Sequence, residues 1–461
     1  MLIKITDILN LKNSYCHNIS KVRNKFFENC SIDSRNIGAG DFFLAVKGEN
    51  TDGHNYLKDV FKKKIQLAVV NDGWFKKEKD KYINKSFIVV KNTVKSLGEL
   101  ALAHRKNFRV IVFGIAGSNG KTTTKDLIAD VLSQDYNVLK TEGNYNNHLG
   151  LPLTLLKLKS DIDICVVELG SNHFNELDYL CKIAQPDIGL ITNIGKEHLE
   201  FFKNLDGVAK EEFTLFDYLS EKENTSLLMN VDDSYIRKYK HKKINLNPFT
   251  YSYKYKSDVK GKFLGFNSSL YPEINITFNK TNFNVRISSV GFHTIYNGLA
   301  SAAAGLFFGI SPQKIKKALS GYRSDSRMRM EIVTKKRIII INDAYNSNPD
   351  SVKIGLETLK KYNIKGNKHI VLADMLELGK QSRKEHLETG SLVRNMNFEN
   401  LYTYGEKAKY IFKGAKGVKN NFYFEEKKDL IDFLKCILKP DDMLYVKGSR
   451  GMKMEEVIEQ I

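Results

Sequence analysis

The run Gly114-Ile115-Ala116-Gly117-Ser118-Asn119-Gly120-Lys121-Thr122-Thr123-Thr124 constrains what this chain can fold into more than any other. Before it, Arg109-Val110-Ile111-Val112-Phe113 reads as a short buried strand. After it, Leu127, Ile128, Val131 and Leu132 fall on one face of a helix. The glycines therefore occupy a strand-to-helix turn. Such a turn points backbone N–H groups and a helix N-terminus at an anion. The strict phosphate-loop spacing would need glycine where the chain has Ile115, so the run fits the shorter form G-x-x-G-K-T, Gly117 to Thr122. Gly117, Ser118, Asn119, Gly120, Lys121, Thr122 and Thr123 are then candidates for holding ATP. Lys121 would reach the β- and γ-phosphates and the Thr122 hydroxyl would sit on Mg²⁺. An ordinary glycine-rich turn explains the glycines alone. Strand, loop, Lys-Thr pair and helix together favour the nucleotide.

The rest of the chain repeats the strand–helix alternation. Ile162 to Val167 and Ile188 to Thr192 are continuous apolar runs, as in a parallel sheet buried on both faces. Residues 101–325 thus read as a doubly wound ATPase core. Residues 326–461 restart the pattern in "RIIIINDAYNSNP", "KHIVLADMLELG", "NLYTYGEKA" and "DDMLYVKGSRG", which predict a second, smaller α/β unit of Rossmann type. It has no G-x-G-x-x-G, so no dinucleotide site is expected. Residues 1–100 mix short strands and helices around the strand Phe42 to Val46, with Asp33, Ser34, Arg35, Asp52 and His54 at strand ends. The fold class expected is α/β in three domains.

Composition narrows the class further. The 461 residues suffice for about two to four domains. No run of about 18 apolar residues occurs, so no membrane span is expected. The start, MLIKITDILNLKNSYC, lacks a signal-peptide core and cleavage site. Five scattered cysteines, Cys16, Cys30, Cys165, Cys181 and Cys436, form no C-x-x-C pair and suit a reducing, cytoplasmic setting. The formal charge of +19 raises the question of nucleic acid. The densest basic stretch, Arg237 to Lys243, contains one aromatic, but lysine is spread along the whole chain. A solvated face, and no nucleic-acid partner, is the expectation.

Ligands of open α/β sheets bind at the C-terminal ends of strands. There, Glu168 ends "DICVVELG" and His198 follows "GLITNIGKEH". A carboxylate and an imidazole beside a phosphate loop can hold Mg²⁺ or orient the γ-phosphate. "EGNYNNHLGLPLT", residues 142–154, is an asparagine-rich loop whose donors and acceptors suit a sugar or diphosphate, although on the residues alone a plain turn explains it better.

These motifs together resemble the Mur ligases, ATP-dependent amide-forming enzymes of peptidoglycan synthesis, across essentially the whole chain. The first block is "DSRNIGAGDFFLAVKGENTDGH"; the second runs from "GSNGKTTTK" through "NYNNHLGLPLTLL", "VVELGSNH" and "EHLEFF" to "GFHTIYN"; the third holds "RMEIV", "INDAYNSNPDS", "ADMLELG" and "VKGSRGMKME". The last three are the marks of the branch that adds D-alanyl-D-alanine to UDP-N-acetylmuramoyl-tripeptide, and the D-N-P-R motif of the diaminopimelate-adding branch is absent. The resemblance implies an N-terminal uridine-nucleotide-binding domain, a central ATP-binding domain and a C-terminal domain completing the site, in a monomer. It implies that Lys121, Glu168, His198 and Arg329 are catalytic. His293 and Asn297 would lie near adenine, Asp343 at the ribose, and Arg329 at the phosphates. Ser34, Arg35 and His54 would meet the uridine end, and Asn146, Asn147 and Thr154 the sugar-diphosphate. Tyr345, Asn346 and Asn348 would help place the dipeptide. Thr122, Glu168 and His198 would hold Mg²⁺.

Two positions depart from the family pattern. Many members carbamylate a lysine four residues before an aromatic, which here is Phe216; the aligned residue is Glu212. Lys210 lies two residues earlier, about 200° around a helix. Either Glu212 supplies the carboxylate for the metal directly or Lys210 is modified, and Glu212 is favoured. The second departure is Thr294, where the family usually has asparagine. Competing readings are a nucleic-acid-binding phosphate-loop ATPase, which the diffuse charge disfavours, folylpolyglutamate synthase, which lacks the "DSR…DGH" block, and a binding scaffold, against which Lys121, Thr122, Glu168 and His198 stand.

Overall fold

The structure, a computed structural model, describes residues 3–48, 51–239, 247–267, 269–323 and 328–461. The sequence's alternation resolves into three α/β units, each around one main sheet. The first sheet has five strands, with Cys30–Ser31, Phe42–Leu44, Leu67–Asn71 and Ser86–Val90 parallel and Tyr15–His17 antiparallel at one edge. The helix Thr93–Arg105 then leads into the second unit. It crosses residue 100, so a boundary drawn there would cut a continuous helix. Its Leu97, Leu100 and Ala101 sit in one apolar cluster with Ile88 of the first unit and Leu155 and Leu180 of the second. The boundary expected at 325/326 lies outside the described residues.

The second sheet has nine strands. Third from one edge, Ile111–Ala116 lies between Ile164–Glu168 and Ile188–Ile191, all parallel. Alternation along Ile111–Ala116 sends Val112 and Ala116 into one apolar cluster and Phe113 and Ile115 into another. Both faces are therefore covered, and each fully buried side chain of this size contributes about 1.5–3 kcal/mol. From Ile111–Ala116 the chain goes to the near edge, Val138–Lys140, and then returns across it to the other side. That reversal is the place where an open sheet leaves a crevice at its C-terminal edge. The far edge is an antiparallel extension, Val259–Phe266, Pro272–Phe278 and Thr281–Arg286, which the sequence reading did not single out. Its last hairpin turns on Asn279 and Lys280, both left-handed (φ 45° and 67°), a two-residue turn made without glycine.

The third sheet has six strands. Ile338–Asp343, Met443–Lys447, Lys368–Ala373, Asn400–Tyr404 and Asn420–Phe424 are parallel in that order, and Glu331–Lys335 is an antiparallel edge. The four strands expected from sequence are present; Asn420–Phe424 and the edge strand add to them. Of the basic stretch 237–243, Arg237 and Lys238 close a short helix, Ser234–Lys238, and residues 240–243 lie outside the described residues.

Candidate functional site

The strand Ile111–Ala116 ends at Gly117, and the helix Lys121–Leu132 begins four residues later. Gly117 (φ 114°) and Gly120 (φ 80°) are left-handed. A Cβ on Gly117 would come within 2.3 Å of the Thr192 hydroxyl, and one on Gly120 within 2.7 Å of Asn297 Oδ1. Only glycine fits either position. The loop is braced from the next strand: Ser118 Oγ accepts from Gly195 N at 2.8 Å, and Asn193 Nδ2 donates to Asn119 O at 2.8 Å.

Lys121 folds back on this loop. Its ammonium donates to Gly117 O, to Ser118 O at 3.3 Å and to Glu197 Oε2 at 3.3 Å. Burial works against its charge, but the carboxylates of Glu197, Glu212 and Glu168 outweigh burial and raise its pKa. Glu212 is buried and its Oε2 accepts from Gly117 N at 2.5 Å. Burial, reinforced by Glu197, pushes Glu212 up to about 8. The helix Leu205–Glu212 thus turns Glu212 to the phosphate loop and leaves Lys210 exposed, its ammonium over the Phe174 ring at 5.9 Å.

Around the loop is a cavity of about 440 Å³. The second unit contributes Ser118, Asn119, Gly120, Lys121, Thr122, Thr123, Asn146, Asn147, Glu168, His198 and His293, and the third contributes Arg329, Asp343, Tyr345, Asn346 and Asn348. Glu168 is buried; its Oε1 accepts from Asn146 Nδ2 at 2.8 Å, and its Oε2 has no hydrogen-bond partner. His198, left-handed at φ 45°, brings Nδ1 within 2.6 Å of Glu377 Oε2 from the third unit. The contact holds the Glu377 carboxyl below its usual range. Burial pushes His293 down to about 4 despite Asp343 nearby, so it is a neutral imidazole at neutral pH. Among the described residues, no three Asp, Glu, His or Cys side chains form a ready-made metal-ligating group.

Asp343 is fixed by Tyr445 Oη at 2.9 Å and Lys447 Nζ at 2.7 Å, while Lys447 also donates to Asn346 O at 2.9 Å. The Arg329 guanidinium lies over the Tyr345 ring, its carbon 3.9 Å from the centroid. Asn348 caps the helix Pro349–Lys361 through Ser351 N at 2.8 Å and reaches across to Asn119 Oδ1 at 3.1 Å. Lys196 completes the junction. Its ammonium meets both oxygens of the buried Glu385 at 2.8 and 2.9 Å, and its N–H donates to Asp350 Oδ2 at 2.6 Å. The third unit is thereby seated on the phosphate loop.

Other candidates lie elsewhere or are already engaged. Asn147 lines the cavity, but its Oδ1 accepts from Leu149 N and Gly150 N, capping a helix. Thr154 is buried in that helix, hydrogen-bonded to Gly150 O at 3.2 Å, and does not line the cavity. Asn297 lies beneath the loop, accepting from Thr124 Oγ1 at 3.2 Å with Nδ2 unpartnered. The buried Thr294 hydroxyl reaches Gly291 O at 2.6 Å, tying the turn that presents His293. Ser34, Arg35 and His54 belong to the first unit and do not line the cavity. Arg35 is 85% exposed and pairs with Asp33 at 2.8 Å, and Lys63 Nζ donates to Ser34 O at 2.8 Å. His54 is buried, with Nδ1 2.6 Å from Asp52 and Nε2 accepting from Asn71 N at 3.0 Å.

Sequence reasoning missed Glu197, Lys447 and Glu377. Glu197 stands directly before His198 in the loop after the strand Ile188–Ile191, and Lys447 ends the strand of the quoted "VKGSRG" run, so adjacency to a named candidate could have found the first and position at a strand end the second. Glu377 lies in the quoted "ADMLELG" run, but its contact with His198 comes from the docking of the third unit.

A phosphate loop at a sheet's switch point, closed over by a second α/β unit, defines a nucleotide-using enzyme whose site is assembled between domains. Residues 27–105 match the Mur ligase family catalytic domain, 115–305 the Mur ligase middle domain, and 328–450 the Mur ligase glutamate ligase domain. The chain belongs to the Mur ligase family. It is 33% identical to the UDP-N-acetylmuramoyl-tripeptide–D-alanyl-D-alanine ligase of Bacillus subtilis, covering 94% of this chain and 92% of that one. Identity to the Escherichia coli ligase of the same name is 29%, over 93% and 92% of the two chains. The crystal structure of MurF from Acinetobacter baumannii superposes with a TM-score of 0.87 at 26% identity, covering 100% and 98%. MurF ligase from Thermotoga maritima, solved in complex with ADP, gives 0.80 at 26% identity, covering 94% and 96%.

Proposed function

We propose that the protein uses ATP to join D-alanyl-D-alanine to UDP-N-acetylmuramoyl-tripeptide, giving the pentapeptide precursor of peptidoglycan. The observation that carries this reading is the cavity that sets Lys121, Glu168 and His198 against Arg329, Asp343 and Tyr345 of the third unit. A carboxylate is a poor electrophile. Transfer of the γ-phosphoryl group to the tripeptide's terminal carboxylate makes an acyl phosphate and releases ADP. The dipeptide amine then attacks the acyl carbon, the amide forms, and phosphate leaves with one carboxylate oxygen.

The chain's part is positioning and charge neutralisation. A phosphate entering the loop draws Lys121 away from Gly117 and Ser118 toward the transferring group. Arg329 approaches the same phosphates from the third unit. Asp343, clamped by Tyr445 and Lys447, meets the ribose. Asn146, which holds Glu168, faces the muramoyl substrate with Asn147. Tyr345, Asn346 and Asn348 place the dipeptide. Ser34, Arg35 and the loop that His54 braces receive the uridine end.

Thr122, Glu168, His198 and Glu212, joined by Glu197, are the groups for Mg²⁺. Glu168 Oε2 and Glu197 Oε1 are both buried without a hydrogen-bond partner, which suits a hard cation. A ready-made cage is not required, since Mg²⁺ is commonly held by one or two carboxylates together with phosphates. When bound, the ion supplies charge neutralisation at the phosphates.

Among the described residues no helix is long and apolar enough to cross a membrane, and all five cysteines are free thiols. Both fit work in the cytoplasm, where ATP is made, and we take the working form to be a monomer. The domains we assign are 1–100, 101–325 and 326–461, with the helix Thr93–Arg105 bridging the first pair.

The test is phosphate release from ATP and Mg²⁺ with the muramoyl-tripeptide, with and without D-alanyl-D-alanine, while the product is followed by mass. Release that needs both substrates, with pentapeptide formed, is the expected result. Release supported by a single amino acid in place of the dipeptide would move the protein to another branch of the family.

A further inference from the structure

A second pocket, of about 240 Å³, adjoins the main cavity and shares Asn147, His148, Gly170 and Glu176 with its wall. Gly170 is two residues beyond Glu168, so the pocket borders the phosphate end of the site. Its remaining surface is largely Phe174, Tyr179 and Leu180. Whole-ligand pockets span about 300–1,000 Å³; this one suits a single side chain.

The wall is held in place by two carboxylates. Glu176 Oε2 accepts from Asn172 N at 2.7 Å and His173 N at 3.1 Å. Glu211 accepts from Asn175 N at 2.9 Å and Leu177 N at 2.8 Å, fixing Asn175 in a left-handed conformation (φ 72°). Such a conformation in a non-glycine residue persists only where surrounding bonds hold it. Among the described residues Glu176 is the only Asp, Glu, Lys or Arg lining the pocket; His148 also lines it, and His173 Nδ1 stands 3.6 Å from Glu176 Oε1. Lys210, over the outer ring of Phe174, is not among the lining residues.

If the terminal carboxylate of the tripeptide reaches the phosphates at Lys121, the side chain on that same residue must lodge within a few bonds of it. We propose that this pocket takes the side chain of the tripeptide's third residue and selects an aliphatic chain ending in one cation, as in lysine or ornithine. A chain ending in an ammonium and a carboxylate together, as in diaminopimelate, is disfavoured. The apolar wall covers the methylenes and Glu176 faces the ammonium. A second carboxylate would meet Glu176 with no lysine or arginine in the lining to offset it. The inference rests on the ligase reading above.

The test compares kcat/KM for the lysyl and diaminopimelyl UDP-muramoyl-tripeptides with the whole protein, ATP, Mg²⁺ and D-alanyl-D-alanine. The expected preference for lysyl is about tenfold or more, the size of a partly exposed charge-assisted contact. Glu176→Gln keeps a carbonyl acceptor for Asn172 N and His173 N but removes the charge, and should cut the lysyl-to-diaminopimelyl ratio about tenfold. Equal use of the two substrates, a diaminopimelyl preference, or a ratio unmoved by Glu176→Gln overturns the inference and leaves the ligase reading standing. Failure of both tripeptides to give pentapeptide removes the ligase reading, and the inference with it.

Discussion

His54 and His198 both stand in polar turns near strand ends, and the structure puts them under opposite conditions. His54 finishes its bonding inside its own unit. Asn71 N–H donates to its Nε2, so Nδ1 carries the proton toward Asp52, and the ring packs 5.2 Å from Trp74. His198 lines the cavity, and the carboxylate beside it, Glu377, comes from another unit. The same contrast separates the surrounding groups. Around His54 the polar atoms are satisfied locally. Around His198, Glu168 Oε2 and Glu197 Oε1 are buried with no partner. A polar cluster that completes its own bonds holds a loop in shape. One whose partners are missing, or borrowed across an interface, is arranged for a ligand.

The largest effect expected from this contrast is at Lys121. Lys121→Ala should lower kcat of ligation by about a thousandfold or more while circular dichroism and melting behaviour stay near wild type. Glu168→Gln should cost about a hundredfold in kcat and raise the Mg²⁺ concentration needed for half activity, checked by titrating the metal after chelation. Lys196→Ala tests the interface between the two units. It leaves the buried Glu385 carboxylate without its cation, so the KM for ATP should rise about tenfold, with kcat changed less. On the satisfied side, His54→Ala should lose about 1–3 kcal/mol of unfolding free energy by denaturant titration and change kcat little. A kcat loss at His54 comparable to that at Glu168 would erase the distinction between the two regions.

The smallest effect is electrostatic. Glu212 sits near 8 in the folded protein against an ordinary carboxylate value of 4.5. Between those values the folded state keeps a proton that the unfolded chain releases. Stability should therefore fall as pH rises through that interval. Glu212→Gln should flatten the slope of melting temperature against pH there, and an unchanged slope would remove Glu212 as its source.

Much of this was legible in the sequence, and the reasons differ by element. The phosphate loop was readable because its glycines, Lys121 and Thr122 follow a strand and open a helix, and local chemistry fixes that geometry. The four main strands of the third unit were readable as apolar runs ending in polar turns. The antiparallel edge at 259–286 was missed because its turn pairs Asn279 with Lys280 and lacks the glycine that usually follows asparagine in a two-residue hairpin turn. Glu377 and Glu385 were missed because their meaning is tertiary, while Lys447 stands at a readable strand end but its contacts with Asp343 and Asn346 are tertiary. Each acquires a role only when the third unit closes on the second or when neighbouring strands pair. The choice between Lys210 and Glu212 was narrowed by helix spacing, to which the structure adds that Glu212 reaches Gly117 while Lys210 is exposed beside Phe174.

The most direct test of the account is to follow oxygen. The muramoyl-tripeptide would carry heavy oxygen in its terminal carboxylate, and the phosphate released during ligation would be weighed by mass spectrometry. Activation as an acyl phosphate predicts that one labelled oxygen passes to phosphate for each pentapeptide formed. Unlabelled phosphate alongside pentapeptide would contradict it, because the carboxylate would then never have been phosphorylated in the cavity.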